Sequence, residues 1–439
     1  YAALSALRRS VKALVVGGGG REHALAWKLA ASRAVEKVYV APGNAGTARE
    51  QKVENTPIAS ADIDSLARFV ENQNIDLTVV GPETPLVNGI TDRFRLLNRS
   101  CLGPTQSAAK LEGSKAFAKS FMKRHQIPTA RYQIFDNTGK ALSHAKKMGP
   151  PLVIKADGLA AGKGVVVAHT LAQAEFAIRQ LLDERRFGAA GDRVILEEFL
   201  TGEEVSFICL VSNDQVLPLA TSQDHKARDA GDVGPNTGGM GAYSPAPVIT
   251  PALYERIMRQ VIEPTIRGLN RDGISYTGFL YAGLMIERQG SVRVLEYNCR
   301  LGDPETQPIF LRLQSDLAKL CSAALAGELH RIKTQWDSRA ALGVVMAAGG
   351  YPADYATGDI INGLMDTDDS QVKVFHAGTA IEGGHVVTSG GRVLCVTALG
   401  DNVTAAQSTA YQSVHNLHWK QAYFRPDIGH RAVAREQAN

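Results

Sequence analysis

Three polar side chains alternate at the end of one apolar segment, and their types suit the binding of a metal-bound phosphate. Glu296, Asn298 and Arg300 are separated by single residues in the sequence Leu-Glu-Tyr-Asn-Cys-Arg. Every second residue of a β-strand projects from the same face, so the spacing predicts that the three side chains lie together. Glu and Asn offer the hard oxygen ligands that Mg²⁺ prefers, and Arg can hold an anionic intermediate. By themselves, the three residues would also fit a solvated edge strand.

A glycine-rich connection between two short apolar segments carries two lysines. The segment that ends at Lys155 runs through Asp157–Gly164 into Val165–Val167, with Lys163 near the tip of the connection. The connection leads into a strand, so it differs from the Gly-x₄-Gly-Lys-Ser/Thr loop, which places phosphates on a following helix. Backbone N–H groups and two lysines suit a flap over a polyphosphate. A solvated hairpin is the alternative, and the neighbouring motifs favour the flap.

An apolar segment that ends in acids follows the flap. It spans Val194–Leu200, with Glu197 and Glu198 before a Phe-Leu pair, and Glu204 comes shortly after it. In such a strand, backbone groups can read the edge of a purine and a carboxylate can bind ribose hydroxyls. Two adjacent acids alone would be unremarkable. Together with the flap and the Glu-x-Asn-x-Arg segment, they predict a nucleotide site.

A glycine run near the N-terminus follows an apolar segment and opens a helical pattern. The run is Gly17–Gly20, and Glu83 follows a later apolar segment. If both segments are parallel strands, their carboxyl ends meet at one sheet edge, where a ligand with hydroxyl groups can bind beside a helix N-terminus. The run fits a dinucleotide fingerprint poorly, because Glu22 displaces the third glycine and the next strand lacks a ribose-binding acid. A tight turn without a ligand fits the run alone about as well.

The elements that must position these residues begin with an open sheet. Apolar runs over Val11–Val16, Lys37–Val40 and Ile75–Val80, with a helical pattern over Arg21–Ser32, predict a mostly parallel α/β arrangement at the N-terminal end. Helical periodicity over Leu111–His125 predicts one further helix.

The middle of the chain predicts a small α+β unit. Short strands alternate there with a helix over Leu171–Asp183, and Phe279–Ile286 with Val292–Asn298 predicts a hairpin. The stretch Ser222–Pro245 has no periodicity and is rich in Gly and Asp, which predicts a long functional loop. From about Ala340 onward, short strands and a final helix predict a separate α+β domain.

Composition limits the class of protein. The length of 439 residues predicts about three domains, and 44% hydrophobic with 21% charged residues excludes a mainly disordered chain. The net charge of +4, with both signs interspersed, gives no indication of nucleic-acid binding. Five scattered cysteines without a CxxC pair predict reduced thiols and a cytoplasmic protein, and no apolar run reaches the ~18 residues of a membrane span. Residues 1–10, with two Arg and no acid, are typical of a processed presequence or an added tag, and we leave them out of the fold prediction.

These motifs establish a resemblance that covers the chain from Val11 onward. The chain is similar to the glycinamide ribonucleotide synthetase family, within the ATP-grasp ligases. The matching stretches are GGGGREH at Gly17–His23, APGNAG at Ala41–Gly46, GPETPL at Gly81–Leu86, EGSK at Glu112–Lys115, IKADGLAAGKG at Ile154–Gly164, SQDHK at Ser222–Lys226, GPNTGGMGAYSP at Gly234–Pro245, EYNCRLGDPETQ at Glu296–Gln307, HAGT at His376–Thr379, GGR at Gly390–Arg392 and DIGHRA at Asp427–Ala432.

The resemblance implies a multidomain α/β and α+β protein with the ATP-grasp fold. It implies an N-terminal parallel α/β domain over 11–112, an ATP-grasp domain over 113–336 that includes a mobile lid at 132–203, and a C-terminal α+β domain over 337–439. It also implies an ATP-dependent carbon–nitrogen ligase of de novo purine synthesis. ATP would phosphorylate the glycine carboxylate with Mg²⁺ or Mn²⁺, and the amine of 5-phosphoribosylamine would attack the glycyl phosphate to give glycinamide ribonucleotide, ADP and phosphate.

The family's functional residues carry over by position. The phosphates of ATP would be held by Lys115, Lys155 and Lys163. The adenine and ribose would be held by Glu197, Glu198, Leu200 and Glu204. The metal ligands would be Glu296 and Asn298. Phosphoribosylamine would be bound by Gly19, Gly20, Glu83 and Arg392. Arg300 would stabilise the transferring phosphoryl group, Lys163 would assist it, and Asp224 and Asp303 would meet the substrate amines.

The sequence departs from the wider superfamily at one position and leaves other activities open. Many ATP-grasp enzymes carry a further acidic ligand on the preceding strand, where this chain reads Tyr281–Leu284 without an acid. A tightly bound second Mg²⁺ would therefore need another ligand. One alternative is a carboxylase or formate-dependent transformylase on the same scaffold, and another is a non-catalytic nucleotide-binding protein. We expect small-molecule substrates, no nucleic acid or membrane partner, and a monomer or weak dimer.

Overall fold

The computed structural model describes residues 10–160, 164–186, 188–364 and 371–438. Lys163, for which the sequence predicts a phosphate contact and a part in catalysis, lies outside these ranges. Within them, no helix has both the length and the apolar character needed to cross a membrane.

The N-terminal part is a five-stranded sheet in the order β3-β2-β1-β4-β5, and all its pairs are parallel, as the sequence predicted. The strands are β1 Val11–Gly17, β2 Val35–Pro42, β3 Val53–Asn55, β4 Leu77–Val80 and β5 Cys101–Leu102. The helices are α1 Gly20–Ala30, α2 Ile63–Gln73, α3 Glu83–Val87, α4 Ile90–Leu96, α5 Gln106–Gly113 and α6 Lys115–Arg124. The sequence prediction omitted β3 and β5, which are too short to show alternation.

The single helix predicted over Leu111–His125 is wrong, because the structure has two helices that meet at Ser114. Ser114 has an extended backbone, and its hydroxyl accepts the Phe117 N–H at 3.1 Å as the N-cap of α6. The same hydroxyl donates to Asp157 at 2.8 Å. This break therefore fixes the start of α6, and with it Lys115, against the strand that leads into the glycine-rich connection.

A second part is a four-stranded antiparallel sheet in the order β6-β9-β7-β8, with two helices packed on it. Its strands are β6 Tyr132–Phe135, β7 Leu152–Ala156, β8 Val165–Ala168 and β9 Val194–Glu198. Its helices are α7 Thr138–Met148 and α8 Leu171–Leu182. Because β7 and β9 are neighbours, Lys155 and Glu197 come to the same region of the sheet.

The third part is built on an antiparallel sheet in the order β11-β10-β16-β17. The strands from this stretch of the chain are β10 Glu203–Ser212, β11 Gln215–Pro218, β12 Gln223–Asp224, β13 Ala227–Asp229, β14 Val233–Asn236, β15 Gly241–Ser244, β16 Thr277–Ile286 and β17 Val292–Asn298. The helices are α9 Pro251–Ile257, α10 Glu263–Arg271, α11 Thr306–Arg312 and α12 Leu317–Ala326. The predicted hairpin is confirmed as β16 and β17.

The long loop predicted over Ser222–Pro245 is wrong in part. β13 and β14 form a hairpin of their own, while β12 and β15 pair with each other and β15 joins the C-terminal sheet through β18 (Ala340–Ala347). These strands are two to four residues long, too short to show a periodicity, and β15 also bonds to β18, about a hundred positions later in the chain.

The C-terminal part completes a five-stranded sheet in the order β12-β15-β18-β22-β19. Its remaining strands are β19 Val372–His376, β20 Thr379–Glu382, β21 His385–Thr388 and β22 Arg392–Gly400, and its helices are α13 Val403–Val414 and α14 His430–Ala438. One hydrophobic core joins Leu25 and Leu29 of α1 to Phe375 of β19 and to Phe310 of α11. Each such buried side chain contributes roughly 1.5–3 kcal/mol, so this core holds the N-terminal glycine run against the C-terminal sheet.

Candidate active site

All four parts of the fold line one cavity of about 600 Å³. Among the described residues that the sequence predicts to bind or react, all but Gly19 and Gly20 line it. Gly19 and Gly20 lie just beyond its edge, because a Cβ on either glycine would come within 3.6 Å of the carboxylate of Asp303, which lines the cavity. The predicted convergence of distant motifs is therefore found among the described residues.

The Glu-x-Asn-x-Arg residues occupy one wall of the cavity. In the β16–β17 pairing, Glu296 lies opposite Gly283 and Asn298 opposite Tyr281. The strand ends at Asn298, so Arg300 reaches the cavity from the bend that follows and not from the strand itself. The pairing of β16 with β17 shifts its register between Gly283 and Leu284, next to the position opposite Glu296.

Arg300 is held by acidic groups from two other elements. Its Nη2 donates to Glu112 Oε1 at 2.9 Å and to Asn298 Oδ1 at 3.2 Å, and its Nε lies 3.4 Å from Glu83 Oε2. Burial alone would lower the pKa of Arg300, but Glu112 and Glu83 raise it above its ordinary value. The buried Nε has no hydrogen-bond partner among the described residues. The guanidinium is thus fixed and charged, and its Nε–H can donate to one more anionic partner.

Glu296 stays ionised despite its burial. Burial would raise its pKa, but Lys226, Lys155 and Lys115 lower the pKa to about 2. Lys226 Nζ lies 3.8 Å from Glu296 Oε1 and 2.8 Å from Glu204 Oε2. A carboxylate that remains charged beside an amide oxygen is the donor chemistry that Mg²⁺ requires, so Glu296 and Asn298 fit a magnesium site.

Two of the three predicted phosphate-binding lysines lie in this cavity. Lys115 Nζ donates to the Gly158 carbonyl at 3.0 Å, and burial lowers the pKa of Lys115. Lys155 Nζ donates to the Leu295 carbonyl at 3.2 Å and lies 3.1 Å from Glu197 Oε2. Both ammonium groups therefore lie between the strands β7 and β8 and the wall formed by Glu296 and Asn298.

The end of the cavity predicted to take the purine combines a buried ion cluster with an apolar patch. Glu197 Oε2 lies 2.9 Å from Lys119 Nζ as well as near Lys155, while Glu197 Oε1 has no partner among the described residues. Glu198 has turned towards Arg131, whose Nε it binds at 2.6 Å. The apolar patch is formed by Ala130, Leu200, Leu295 and Met285. A flat ring fits against such a patch, with the orphan carboxylate oxygen as an acceptor at its edge.

The opposite end of the cavity, lined by Arg21, Glu83 and Asp303, lies beside the glycine run. The Gly19 N–H donates to Glu22 Oε2 at 2.6 Å, and a Cβ at Gly20 would lie 2.5 Å from Gln307 Nε2. A side chain at Gly20 would displace Gln307, so the close approach explains a glycine there. Glu83 lies 3.7 Å from Arg21, at the sheet edge where the parallel strands predicted it.

Arg392 bridges two loops at the same end. Its Nη1 donates to the carbonyls of Gly238 and Asp303, each at 2.6 Å, and its Nη2 lies 3.5 Å from Asp303 Oδ2. Asp303 also accepts from Gln307 Nε2 at 3.1 Å. The side chain is 22% exposed, so part of the guanidinium remains open to the cavity.

Asp224 is a carboxyl group of the site whose pKa is raised strongly, and burial also raises the pKa of Glu112. Burial raises the pKa of Asp224 to about 8, the neighbouring Glu305 and Glu204 add to the shift, and Lys226 opposes it. A carboxyl group in this state can donate or accept a proton near neutral pH.

Sequence reasoning missed four residues that shape the site: Glu112, Lys119, Lys226 and Tyr351. Lys119 had a usable signal, because it lies four residues after Lys115 on a helix and so shares its face. Glu112 and Lys226 stand inside recognised motifs, but nothing in the sequence shows that they face Arg300 and Glu296. Tyr351 accepts the Gly238 N–H at 3.0 Å across 113 positions, which no local pattern could reveal.

The fold and the cavity define an ATP-grasp protein. Lys155 and the described ends of the glycine-rich connection face a strand end that carries a carboxylate and an amide, and an acidic strand lies beside an apolar patch. Models of three phosphoribosylglycinamide synthetase domains match in order, the N domain at residues 11–112, the ATP-grasp (A) domain at 113–306 and the C domain at 341–431. The chain belongs to the phosphoribosylglycinamide synthetase family, and the predicted membership and fold class are confirmed.

Individual relatives match over nearly the whole chain. A phosphoribosylamine–glycine ligase from Allochromatium vinosum is 60% identical over 98% of this chain and all of its own length. The enzyme of that name from Escherichia coli K12 is 57% identical over 97% of this chain and all of its own length.

Solved structures show the same fold. The crystal structure of phosphoribosylamine–glycine ligase from Thermotoga maritima aligns with a TM-score of 0.83 and 32% identity, over 95% of this chain and all of that one. Biotin carboxylase from Campylobacter jejuni, solved with a β-γ-ATP complex, aligns with a TM-score of 0.74 at 13% identity, over 96% of this chain and 94% of that one. The second likeness shows the fold alone.

Proposed function

We propose that this chain catalyses the ATP-dependent ligation of glycine to 5-phosphoribosylamine, the reaction that gives glycinamide ribonucleotide in de novo purine synthesis. A glycine carboxylate oxygen attacks the γ-phosphorus of ATP, and ADP leaves. The amine of phosphoribosylamine then attacks the carbonyl carbon of glycyl phosphate. The bond between that carbon and the phosphate oxygen breaks, inorganic phosphate leaves with the electron pair, and the amine nitrogen releases a proton. The observation that carries the proposal is the single cavity in which Arg300, Glu296 and Lys155 face the glycine run and Arg392. Family membership and the names of full-length relatives support it.

In this proposal Glu296 and Asn298 hold Mg²⁺, or Mn²⁺ in its place. When bound, the ion offsets the charge of phosphate oxygens. The low pKa of Glu296, which Lys226 and Lys155 maintain against burial, supports the assignment. Glu204 lies 2.8 Å from Lys226 and supplies a second carboxylate to this wall from β10, in the absence of an acid at Tyr281–Leu284.

The nucleotide lies between the apolar patch and the lysines in this proposal. Lys115 and Lys155 hold its phosphates, together with Lys163. Glu198 and Leu200 border the adenine, Glu204 the ribose, and Glu197 orients Lys155 while its free oxygen accepts from the ring. The unpartnered Oε1 of Glu197 and the apolar surroundings of Leu200 support these roles.

Phosphoribosylamine lies at the glycine-run end, with Arg392, Glu83 and the backbone of Gly19 and Gly20. Arg300 stabilises the charge that develops on the transferring phosphoryl group, supported by its fixed position against Glu112. Asp303 and Asp224 meet the amines of the two substrates. Burial is the main reason why the pKa of Asp224 is raised to about 8, and a carboxyl group with this pKa can exchange a proton with an amine.

We further propose the division into an N-terminal domain over 11–112, an ATP-grasp domain over 113–336 and a C-terminal domain over 337–439. Residues 132–203 form the lid over ATP in this division, supported by the separate sheet and core of that segment. The proposed partners are the two small-molecule substrates, and the proposed setting is the cytoplasm, with the chain as a monomer or weak dimer and without nucleic acid or membrane.

Phosphate release is expected to require ATP, glycine and freshly prepared phosphoribosylamine together. The reason is that glycyl phosphate forms in a cavity lined by the groups that bind phosphoribosylamine. Little glycyl phosphate should therefore be hydrolysed by water before the amine attacks it. The measurement is a continuous phosphate assay with each substrate omitted in turn. Equal turnover with bicarbonate or formate in place of glycine would contradict the proposed function.

Replacement of Arg392 should separate the two substrate ends. Arg392→Ala is expected to raise the KM for phosphoribosylamine about 10- to 100-fold, because a charge-assisted hydrogen bond contributes about 1.5–3 kcal/mol. The KM values for ATP and glycine should change less than threefold. Steady-state kinetics with each substrate varied would measure this, with Arg392→Lys as the variant that keeps the charge but loses the planar fork. An unchanged KM for phosphoribosylamine in the alanine variant would place the sugar phosphate elsewhere.

A further inference from the structure

The loop over residues 225–239, here called the substrate loop, reaches the cavity through four residues: Lys226, Asn236, Thr237 and Gly238. Its outer half lies against residues 423–431, here called the C-terminal segment. The contacts between them are polar and largely buried, and none of their side chains lines the cavity. The pairing therefore acts on the cavity only through the loop.

Arg425 is the centre of this pairing and is completely buried. Its Nη1 donates to Asp232 Oδ1 and to the Ala227 carbonyl, each at 3.0 Å. Its Nε and Nη2 form a fork on Asp427 at 2.8 and 2.7 Å. Arg431 binds the other oxygen of Asp232 at 2.6 Å. Two arginines of the C-terminal segment thus converge on one carboxylate of the substrate loop.

His225 closes the same cluster from the base of the loop. The Gly429 N–H donates to His225 Nε2 at 2.9 Å, so in the neutral ring the proton is on Nδ1, which faces Asp232 at 3.4 Å. His225, Asp232 and His430 have ligand atoms within 4.8 Å of one another, a spacing that a metal ion would also fit. Both nitrogens of His225 are already used, however, and Asp232 faces two guanidinium groups. These contacts join two segments of the chain and leave no site for a cation.

Short hydrogen bonds within the substrate loop connect its outer half to the residues that line the cavity. The Lys226 carbonyl accepts from the Thr237 N–H at 2.8 Å and from its hydroxyl at 2.9 Å. Lys226 Nζ lies 2.8 Å from Glu204, and the Gly238 carbonyl accepts from Arg392 at 2.6 Å. A shift of the hairpin β13–β14 would therefore displace both the ammonium of Lys226 and the carbonyl that orients Arg392.

We propose that Asp232, clamped by Arg425 and Arg431, is a positioning residue: it sets the place of the substrate loop and through it the affinity for the substrate that binds beside Arg392. This inference rests on the proposed function for the identity of that substrate, phosphoribosylamine. The geometry of the clamp is independent of that identity.

The test is the Asp232→Asn variant of the full chain. The amide loses the charge and turns an NH₂ group towards a guanidinium, while Arg425 keeps Asp427, so the fold should persist. We expect the KM for phosphoribosylamine to rise at least tenfold, the Kd for ATP to change less than twofold, and amide exchange at 237–240 to accelerate. Asp232→Glu, which keeps the carboxylate, should recover most of the affinity.

Asp272→Asn is the matched control. Asp272 also pairs with an arginine and a histidine, Arg124 and His125, and its side chain is 20% exposed against 27% for Asp232. Like Asp232 it does not line the cavity, but it belongs to neither the substrate loop nor the C-terminal segment. It should leave both kinetics and exchange at 237–240 unchanged.

An Asp232→Asn variant with unaltered KM and unaltered exchange would overturn the inference, as would equal effects in the Asp272 control. If the wild-type chain releases no phosphate with glycine and phosphoribosylamine, the proposed function fails. Exchange at 237–240 would still decide whether Asp232 positions the loop.

Discussion

Arg300→Ala is expected to lower kcat by about 10²–10³ while the chain remains folded. The guanidinium is buried and charged against Glu112 at 2.9 Å, and its Nε, 3.4 Å from Glu83, has no hydrogen-bond partner among the described residues, so it is positioned for an anion that appears during the reaction. A donor of this kind acts mainly on the transition state, so the KM for ATP should change much less than kcat. Steady-state phosphate release, with circular dichroism as a check of folding, is the measurement.

Variants of the proposed magnesium ligands Glu296 and Asn298 should also show a lower kcat in this phosphate assay. Glu296→Gln and Asn298→Ala are expected to lower kcat strongly, and the loss in Glu296→Gln should be partly offset at high Mg²⁺ concentration because the variant retains an oxygen ligand. Arg288→Ala, in the turn of the same hairpin, is the control and should behave as wild type because Arg288 does not line the cavity. Near-normal kcat in all three cavity variants would refute the assignment of the wall that these residues form.

Glu197→Gln is expected to lower the free energy of unfolding by about 3–5 kcal/mol. Glu197 is 2% exposed and is the shared counter-ion of Lys119 and Lys155, at 2.9 and 3.1 Å. Burial already lowers the pKa of Lys119 to about 8, against the opposing effect of Glu197, so removal of the carboxylate takes the nearest counter-ion from two buried ammonium groups. Urea denaturation measures the stability, and a binding titration should show weaker ATP affinity because Lys155 loses its orientation.

Glu198→Gln is the matched control for this change. Its side chain is 18% exposed and binds Arg131 at 2.6 Å, and Arg131 itself is largely exposed, so the expected cost is about 1 kcal/mol or less. Lys119→Met in the Glu197→Gln background should restore part of the lost stability by removing one of the two buried charges. A cost for Glu197→Gln no larger than that of its neighbour would show that the cluster does not stabilise the fold.

Elements with strong local patterns could be predicted from the amino-acid sequence. The strands β1, β2 and β4 follow from apolar runs closed by Gly or Pro, and the hairpin β16–β17 from two such runs around a turn. The glycine-lysine connection and the Glu-x-Asn-x-Arg spacing predicted a phosphate and metal site. Spacing within the strand places Glu296 and Asn298 on one face, whereas Arg300 lies in the bend after the strand. Dense motifs then identified the family, which the domain matches confirm.

The contacts between distant segments became visible in the three-dimensional structure. The stretch Ser222–Pro245 has no periodicity because β12 and β15 gain their hydrogen bonds from each other and from β18, about a hundred positions later in the chain. The partners of Arg300 and Glu197, namely Glu112 and Lys119, come from neighbouring helices, and the clamp on Asp232 comes from the C-terminal segment. Burial and charge at such sites arise from contacts between segments, so local spacing, which reports only neighbours in sequence, carries no record of them.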